Sequence, residues 1–255
     1  MSQALFDVSG RTALITGSSR GLGFRFARAL GKAGARVILN GRNAGTLEAA
    51  RERLSSCGVE AVLCAFDITQ KDEVAAAVAG IEREVGAVDI LVNNAGVHKR
   101  GSLEELDPAV WEEMLAVNLT GAYLVSRHVV RGMIARRRGK IINICSLMSE
   151  VGRATTGSYT AAKGGLKMLT KAMALEWAKH DIQVNGLGPG YFLTEMTKPL
   201  AEDEQFDAWL RSRTPAGRWG DPEELIGPLL FLASDASSFV TGQILYADGG
   251  ILAAL

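Results

Sequence analysis

ITGSSRGLGFRFA, residues 15–27, joins an apolar run to the start of a helical pattern and sets Gly17, Gly21 and Gly23 at the junction. Glycine lacks Cβ, so a loop built this way turns tightly and lets another group approach its backbone. On either side of this loop lie short apolar runs: TALIT, RVILN, EAVLCAF, DILVNN, KIINICS, IQVNGLG and GQILYADGG, separated by segments of helical period. None alternates cleanly between apolar and polar, as expected of strands covered on both faces. The pattern predicts an α/β fold, a single doubly wound Rossmann domain over residues 1–255 with a seven-stranded parallel sheet between two helix layers. Helices are predicted over 22–33, 44–57, 70–85, 107–137 with a break near Gly121, 158–179 and 221–233. Thr69 and Asp221 are the expected caps, with Pro222 suited to a first turn. Residues 190–218 mix charges, aromatics and prolines, and predict a partly helical lid over a site.

With 47% apolar residues and no abrupt shift in composition, the 255-residue chain can bury one sizeable core. Its 28 basic and 28 acidic side chains cancel, so no net field favours nucleic acid or an anionic membrane, and the expected partner is a small molecule. No run has the length of a membrane span and no secretory leader is apparent, which places the expected setting in the cytoplasm. Cys57, Cys64 and Cys145 lack metal-ligand spacing and are read as reduced, buried thiols. No cluster of histidines and carboxylates points to a metal. His128 and His180 are read as packing or helix-end residues.

In a doubly wound sheet the first strand-to-helix turn faces the crevice at the strand ends, where a dinucleotide lays its pyrophosphate on the helix N-terminus. Gly17, Gly21 and Gly23 suit that use, with Ser19, Arg20 and Leu22 as the other loop contacts. A carboxylate at the end of the second strand would favour an unphosphorylated ribose. That position holds Asn40, with Arg42 two residues on. Arg42 and Arg20 can fork onto a 2′-phosphate, so NADP(H) is expected in preference to NAD(H). The alternative for Arg42 is a contact with the neighbouring helix surface.

Tyr159 and Lys163 are four residues apart on a predicted helix and share a face. Lowering a phenol's pKa by about 2–3 units takes roughly 3–4 kcal/mol of preference for the phenolate, which a nearby ammonium can supply. Ser146 closes the KIINICS run at a strand end, where its hydroxyl can bond to a carbonyl oxygen. Cys145 then points to the opposite side and belongs to the core. Asn118 is a polar residue in an apolar helical pattern, either satisfying a helix break or organising water beside the lysine.

In order along the whole chain, TG-x3-G-x-G at 16–23, NNAG at 93–96, Asn118, Ser146, Tyr159, Lys163 and the PG at 189–190 resemble the short-chain dehydrogenase/reductase family. The resemblance implies an NAD(P)-dependent enzyme, commonly a homotetramer, with Tyr159 as proton donor or acceptor and Ser146 on the substrate oxygen. Lys163 would bind the nicotinamide ribose and depress the tyrosine, and Asn118 would anchor a relay water. It also implies that Asp67 and Ile68 lie along adenine, that Asn94, Ala95 and Gly96 border the ribose, and that Pro189, Gly190 and Thr194 reach the cofactor. The stretches KIINICSLMSEVGR, GPGYFLTEMTKPL and DAWLRSRTPAGRWGDPEELIG resemble the family's sugar-acid branch, while His98, Lys99, Met148 and Ser158 depart from it around the expected pocket. A polyhydroxy acid suits the residues there: His98, Lys99 and Arg100 offer positive charge to a carboxylate, and Glu150 and Arg153 can bond to hydroxyls. The expected reaction interconverts a secondary alcohol and a ketone with NADP(H). A 3-oxoacyl-thioester reductase and a non-catalytic dinucleotide-binding protein are the alternatives.

Overall fold

The structure, a computed structural model, describes residues 2–195 and 197–254. In chain order it runs α1 (Ser2–Leu5), β1 (Thr12–Ile15), α2 (Gly21–Lys32), β2 (Arg36–Gly41), α3 (Ala44–Ser55), β3 (Ala61–Ala65), α4 (Lys71–Glu84) and β4 (Ile90–Asn93). There follow α5 (Pro108–Leu115), α6 (Gly121–Arg136), β5 (Gly139–Ile144), α7 (Gly157–Trp177), β6 (Ile182–Pro189), α8 (Lys198–Ala201), α9 (Glu204–Arg213), α10 (Ile226–Ala233) and β7 (Ile244–Ala247). The seven strands form one sheet in the order β3-β2-β1-β4-β5-β6-β7. Every pairing is parallel.

Strand side chains alternate in direction, so each strand feeds two cores. Ala13, Ile15, Val37, Leu39, Ile90, Val92, Ile142 and Ile144 pack with residues of α2, α3 and α10 on one face. Leu14, Ile38, Leu91 and Ile141 pack with α4, α6 and α7 on the other. The register places Leu14 opposite both Ile38 and Leu91, and Leu91 opposite Ile141, so the second row runs straight across the sheet. Both faces are covered, which accounts for the continuously apolar strands. Strand order reverses between β1 and β4, and the strand ends beside that reversal carry the glycine loop and NNAG.

Local details differ from the expectations. The helix over 107–137 does not break at Gly121; it widens into a π turn at Ala116–Thr120, and Gly121 keeps helical angles. Gly121 instead makes room: a Cβ there would lie 2.5 Å from Ile68 Cδ1. Gln70, not Thr69, stands at the N-cap of α4 and makes no side-chain cap bond, while the Thr69 hydroxyl donates to Asp67. Asp221 caps as expected, in a reciprocal box with Glu224 over a 3-10 turn, Pro222–Leu225, that leads into α10. Cys145 is buried but Cys57 is exposed and Cys64 half-buried. Residues 190–218 hold α8 and α9, in keeping with a partly helical segment; Met196 lies outside the described residues. Among the described residues no helix is long and apolar enough to cross a membrane.

Candidate active site

The glycine loop is held from β4. Asn94 Nδ2 donates to the Thr16 and Gly17 carbonyls, each at 3.0 Å, and Thr16 Oγ1 accepts the amide protons of Asn94 and Ala95. Gly17 is left-handed (φ 62°), and a Cβ there would come 2.7 Å from Ala95 Cα. At Gly23 a Cβ would come 2.4 Å from the Gly17 carbonyl oxygen, so neither position tolerates a side chain. Gly21 differs, with left-handed backbone and open space beside it. Arg20 stands at the N-cap of α2 without a side-chain cap bond, which leaves first-turn amides to an acceptor from outside. Ser19 and Leu22 lie half-buried in the same loop. A loop bare of side chains, an uncapped helix N-terminus and an arginine at its mouth fit a dinucleotide pyrophosphate.

At the far end of this loop the roles shift from those expected. Asn40 is buried and its amide is consumed by the protein: Oδ1 accepts from Gly17 N, and Nδ2 donates to the Cys64 and Phe66 carbonyls. It shapes the glycine turn and has no donor left for a phosphate. Arg42 is the exposed cation there, 3.9 Å from Asp67, so a carboxylate does stand near the expected 2′-phosphate position. Asp67 also accepts from the amide and hydroxyl of Thr69. Ile68 is buried against Gly121.

The reactive groups converge beyond the ends of β4 and β5. Ser146 caps the 3-10 turn Leu147–Ser149, its Oγ accepting from Met148 N at 3.2 Å. Ser149 Oγ donates to the Lys163 carbonyl, tying that turn to α7. Tyr159 and Lys163 share a face of α7, with Lys163 Nζ 5.6 Å from the phenol ring centroid and donating to the Ile144 carbonyl at 2.7 Å. Burial pushes the Tyr159 phenol up to about 12, an effect the adjacent Ser146 hydroxyl only partly reverses. The same burial pushes Lys163 down to about 8. Desolvation disfavours phenolate and ammonium alike, and in this state it outweighs the expected loosening of the phenol by the ammonium.

Asn118 is buried in the π turn, where its Nδ2 donates to the Val97 and Met114 carbonyls and its Oδ1 accepts from Val97 N. Its side chain thus joins the turn to the segment after NNAG. Gly96 lies in the crowded space between them, since a Cβ there would sit 2.8 Å from Asn118 Oδ1. Pro189 ends β6 and Gly190 follows it, pressed on Asp248, and the Thr194 hydroxyl is shared with Thr197.

Around the mouth, the His98 ring sits 4.6 Å from the Tyr159 ring. Burial, then the charges of Arg100 and Arg153, hold His98 below the usual histidine range. Lys99 turns to Glu113, and Arg100 donates to the Thr155 hydroxyl. Glu150 pairs with Lys167 and accepts from the Tyr246 hydroxyl. Arg153 stacks on Phe206. Ser149 and the aromatic group Tyr191, Phe206, Trp209 and Trp219 were not singled out from the sequence. Only the density of aromatics in 190–218 hinted at the last.

A neutral phenol, a hydroxyl and a buried ammonium beside a nucleotide-shaped loop can hold a carbonyl oxygen and exchange a proton with it. The short chain dehydrogenase family model matches residues 11–205. The chain is 52% identical to 5-keto-D-gluconate 5-reductase of Escherichia coli (strain K12), over 98% of this chain and 99% of that protein. It is 51% identical to 2-dehydro-3-deoxy-D-gluconate 5-dehydrogenase of Formosa agariphila, over 100% of this chain and 97% of that one. The crystal structure of a gluconate 5-dehydrogenase from Burkholderia cenocepacia J2315 in complex with NADP and tartrate superposes with a TM-score of 0.97 at 47% identity, covering 100% of both chains.

Proposed function

The chain belongs to the short-chain dehydrogenase family of oxidoreductases, and on that premise we propose that it interconverts gluconate and 5-keto-gluconate, or a closely related sugar acid, with NADP(H). One observation carries the chemistry: Tyr159, Ser146 and Lys163 meet at the strand ends beside a loop that fits a pyrophosphate. NADPH supplies the hydride when bound. Gly17 and Gly23 would keep the turn tight and Gly21 open to its phosphates, Ala95 and Gly96 would border its ribose, and Arg20 and Arg42 would select the 2′-phosphate.

The remaining steps belong to the chain. Ser146 Oγ and the Tyr159 hydroxyl donate to the substrate carbonyl oxygen, and Tyr159, which keeps its proton at neutral pH, gives that proton to the oxygen. Lys163 stabilises the phenolate left behind, and its bond to the Ile144 carbonyl fixes where its charge stands. Asn118 positions the Val97 segment at the floor of the site. His98 packs on the phenol and limits its rotation. A sugar acid is favoured over a 3-oxoacyl thioester because Arg100 and Arg153 set positive charge at the mouth, while relatives above 50% identity act on keto-gluconates by name. Closure of 190–218 over the substrate, a cytoplasmic setting and a homotetramer belong to the same proposal. Self-association has a surface in the exposed apolar Tyr123, Met168 and Leu175.

The test follows NADPH absorbance with 5-keto-gluconate, 2-dehydro-3-deoxy-gluconate and an acetoacetyl thioester side by side, for the wild type and Tyr159→Phe. The sugar acids should turn over, and the variant should lose about 10²–10⁴-fold, the range of a general acid. Preference for the thioester, or a loss below about tenfold, refutes the reading.

A further inference from the structure

Arg153 sits in the loop after β5, a few residues from Ser146, and its guanidinium lies 4.5 Å from the Phe206 ring centroid and 5.6 Å from that of Trp209. Its Nη1 donates to the Tyr191 hydroxyl at 3.4 Å. All three aromatic residues belong to 190–218 and hold one another, with ring centroids 5.7 Å apart for Tyr191 and Phe206 and 5.2 Å for Phe206 and Trp209. Stacking occupies the flat faces of a guanidinium, whereas its N–H donors lie in the plane and remain able to fork onto a carboxylate. Of the neighbouring cations, Lys99 is neutralised by Glu113, Arg211 by Asp207 and Arg218 by Glu224, while Arg100 is turned to the Thr155 hydroxyl. Among the described residues Arg153 has no carboxylate partner, although its charge reaches His98 beside Tyr159. A half-buried, stacked and electrically uncompensated arginine at the mouth of the site is a receptor for an anion.

We propose that Arg153 binds the carboxylate of the substrate acid, and that the Phe206, Trp209 and Tyr191 side chains present it, so that the same guanidinium joins substrate recognition to the position of residues 190–218. This rests on the sugar-acid reading and adds the group that recognises the acid. Arg153 bridges two parts of the fold: the β5 loop that carries Ser146, and the helical segment after β6. A carboxylate on its edge strengthens the positive charge's hold between them and sets the distance from the acid to the reacting carbon. Phe206 and Trp209 are positioning residues.

The experiment compares 5-keto-gluconate with L-sorbose, the same carbon skeleton carrying a hydroxymethyl in place of the carboxylate. For Arg153→Met the ratio of kcat/KM for the acid to that for the neutral ketose should fall about 10- to 100-fold, the worth of a charge-assisted forked contact. Arg153→Lys should recover part of that ratio. Trp209→Leu should raise KM for the acid a few-fold with kcat held. Gluconate binding measured by calorimetry should weaken in parallel with the acid's kcat/KM, and the thermal melting point reports whether each variant is folded. An unchanged acid-to-neutral ratio in a folded Arg153→Met overturns the assignment and leaves the sugar-acid function standing. A wild type that reduces L-sorbose but no keto acid overturns both.

Discussion

Replacing Lys163 by methionine isolates the electrostatic contribution to proton transfer. The ammonium lies 5.6 Å from the Tyr159 ring centroid. At an effective dielectric of about 20, a unit charge at that distance favours the phenolate by roughly 3 kcal/mol, equivalent to about two pH units in phenol acidity and on the order of 100-fold in rate. Two effects on stability oppose one another: the Ile144 carbonyl loses its partner, and a buried ammonium that burial already pushes down to about 8 is removed. The melting temperature should therefore move little while activity collapses. The assay is kcat/KM for gluconate oxidation with NADP+ from about pH 6 to 8, where Lys163 keeps its charge and Tyr159, pushed up to about 12, keeps its proton, so the rate rises with pH along a limb that reports the phenol. In Lys163→Met that limb should lie about 100-fold lower at each pH, the mark of a phenol about two pH units less acidic, while Lys163→Arg should keep part of the rate. A limb that stays where the wild type has it refutes the idea that the ammonium acts through its charge on Tyr159.

Arg42→Ala should lower kcat/KM with NADPH by about tenfold and leave NADH unaffected; an exposed contact shared with Asp67 is worth no more, and an unchanged cofactor ratio sinks the phosphate assignment. In Gly17→Ala a left-handed backbone and the 2.7 Å approach to Ala95 should cost on the order of 1–3 kcal/mol, read as a lower melting temperature together with weaker NADPH binding by fluorescence; no change in either refutes the fit. Lys140, pushed down to about 8 by burial, and Lys163 bind fewer protons folded than unfolded from about pH 8 to the ordinary lysine range. Stability should consequently rise with pH across that window, and Lys140→Met should flatten the rise in calorimetric melts; a wild-type curve that falls there contradicts the burial.

Most of the layer architecture was legible because burial on both faces of a strand leaves a plain mark, an apolar run without alternation, and the helices between the runs carry their own period. Gly17 and Gly23 were legible for a similar reason, since each removes a side chain that would strike backbone. Asn40 and Asn118 mark the limit. Both stand out as polar residues in apolar surroundings, but whether an amide faces a ligand or its own backbone depends on carbonyls brought in from elsewhere. Asn40 meets Gly17, Cys64 and Phe66, while Asn118 meets Val97 and Met114. Glu150 is similar, since its partners Lys167 and Tyr246 come from α7 and β7.

By itself the sequence determined the parallel sheet, the glycine turn at its centre and the candidates for the proposed trio, because those depend on residue type, period and spacing along the chain. Only the tertiary structure decided which polar groups were left over. The upward push on Tyr159, the aromatic seat of Arg153 and the internal bonds of Asn40 and Glu150 all follow from burial and from partners distant in sequence. Desolvation and hydrogen-bond satisfaction belong to packed neighbours in three dimensions, and no linear pattern carries them.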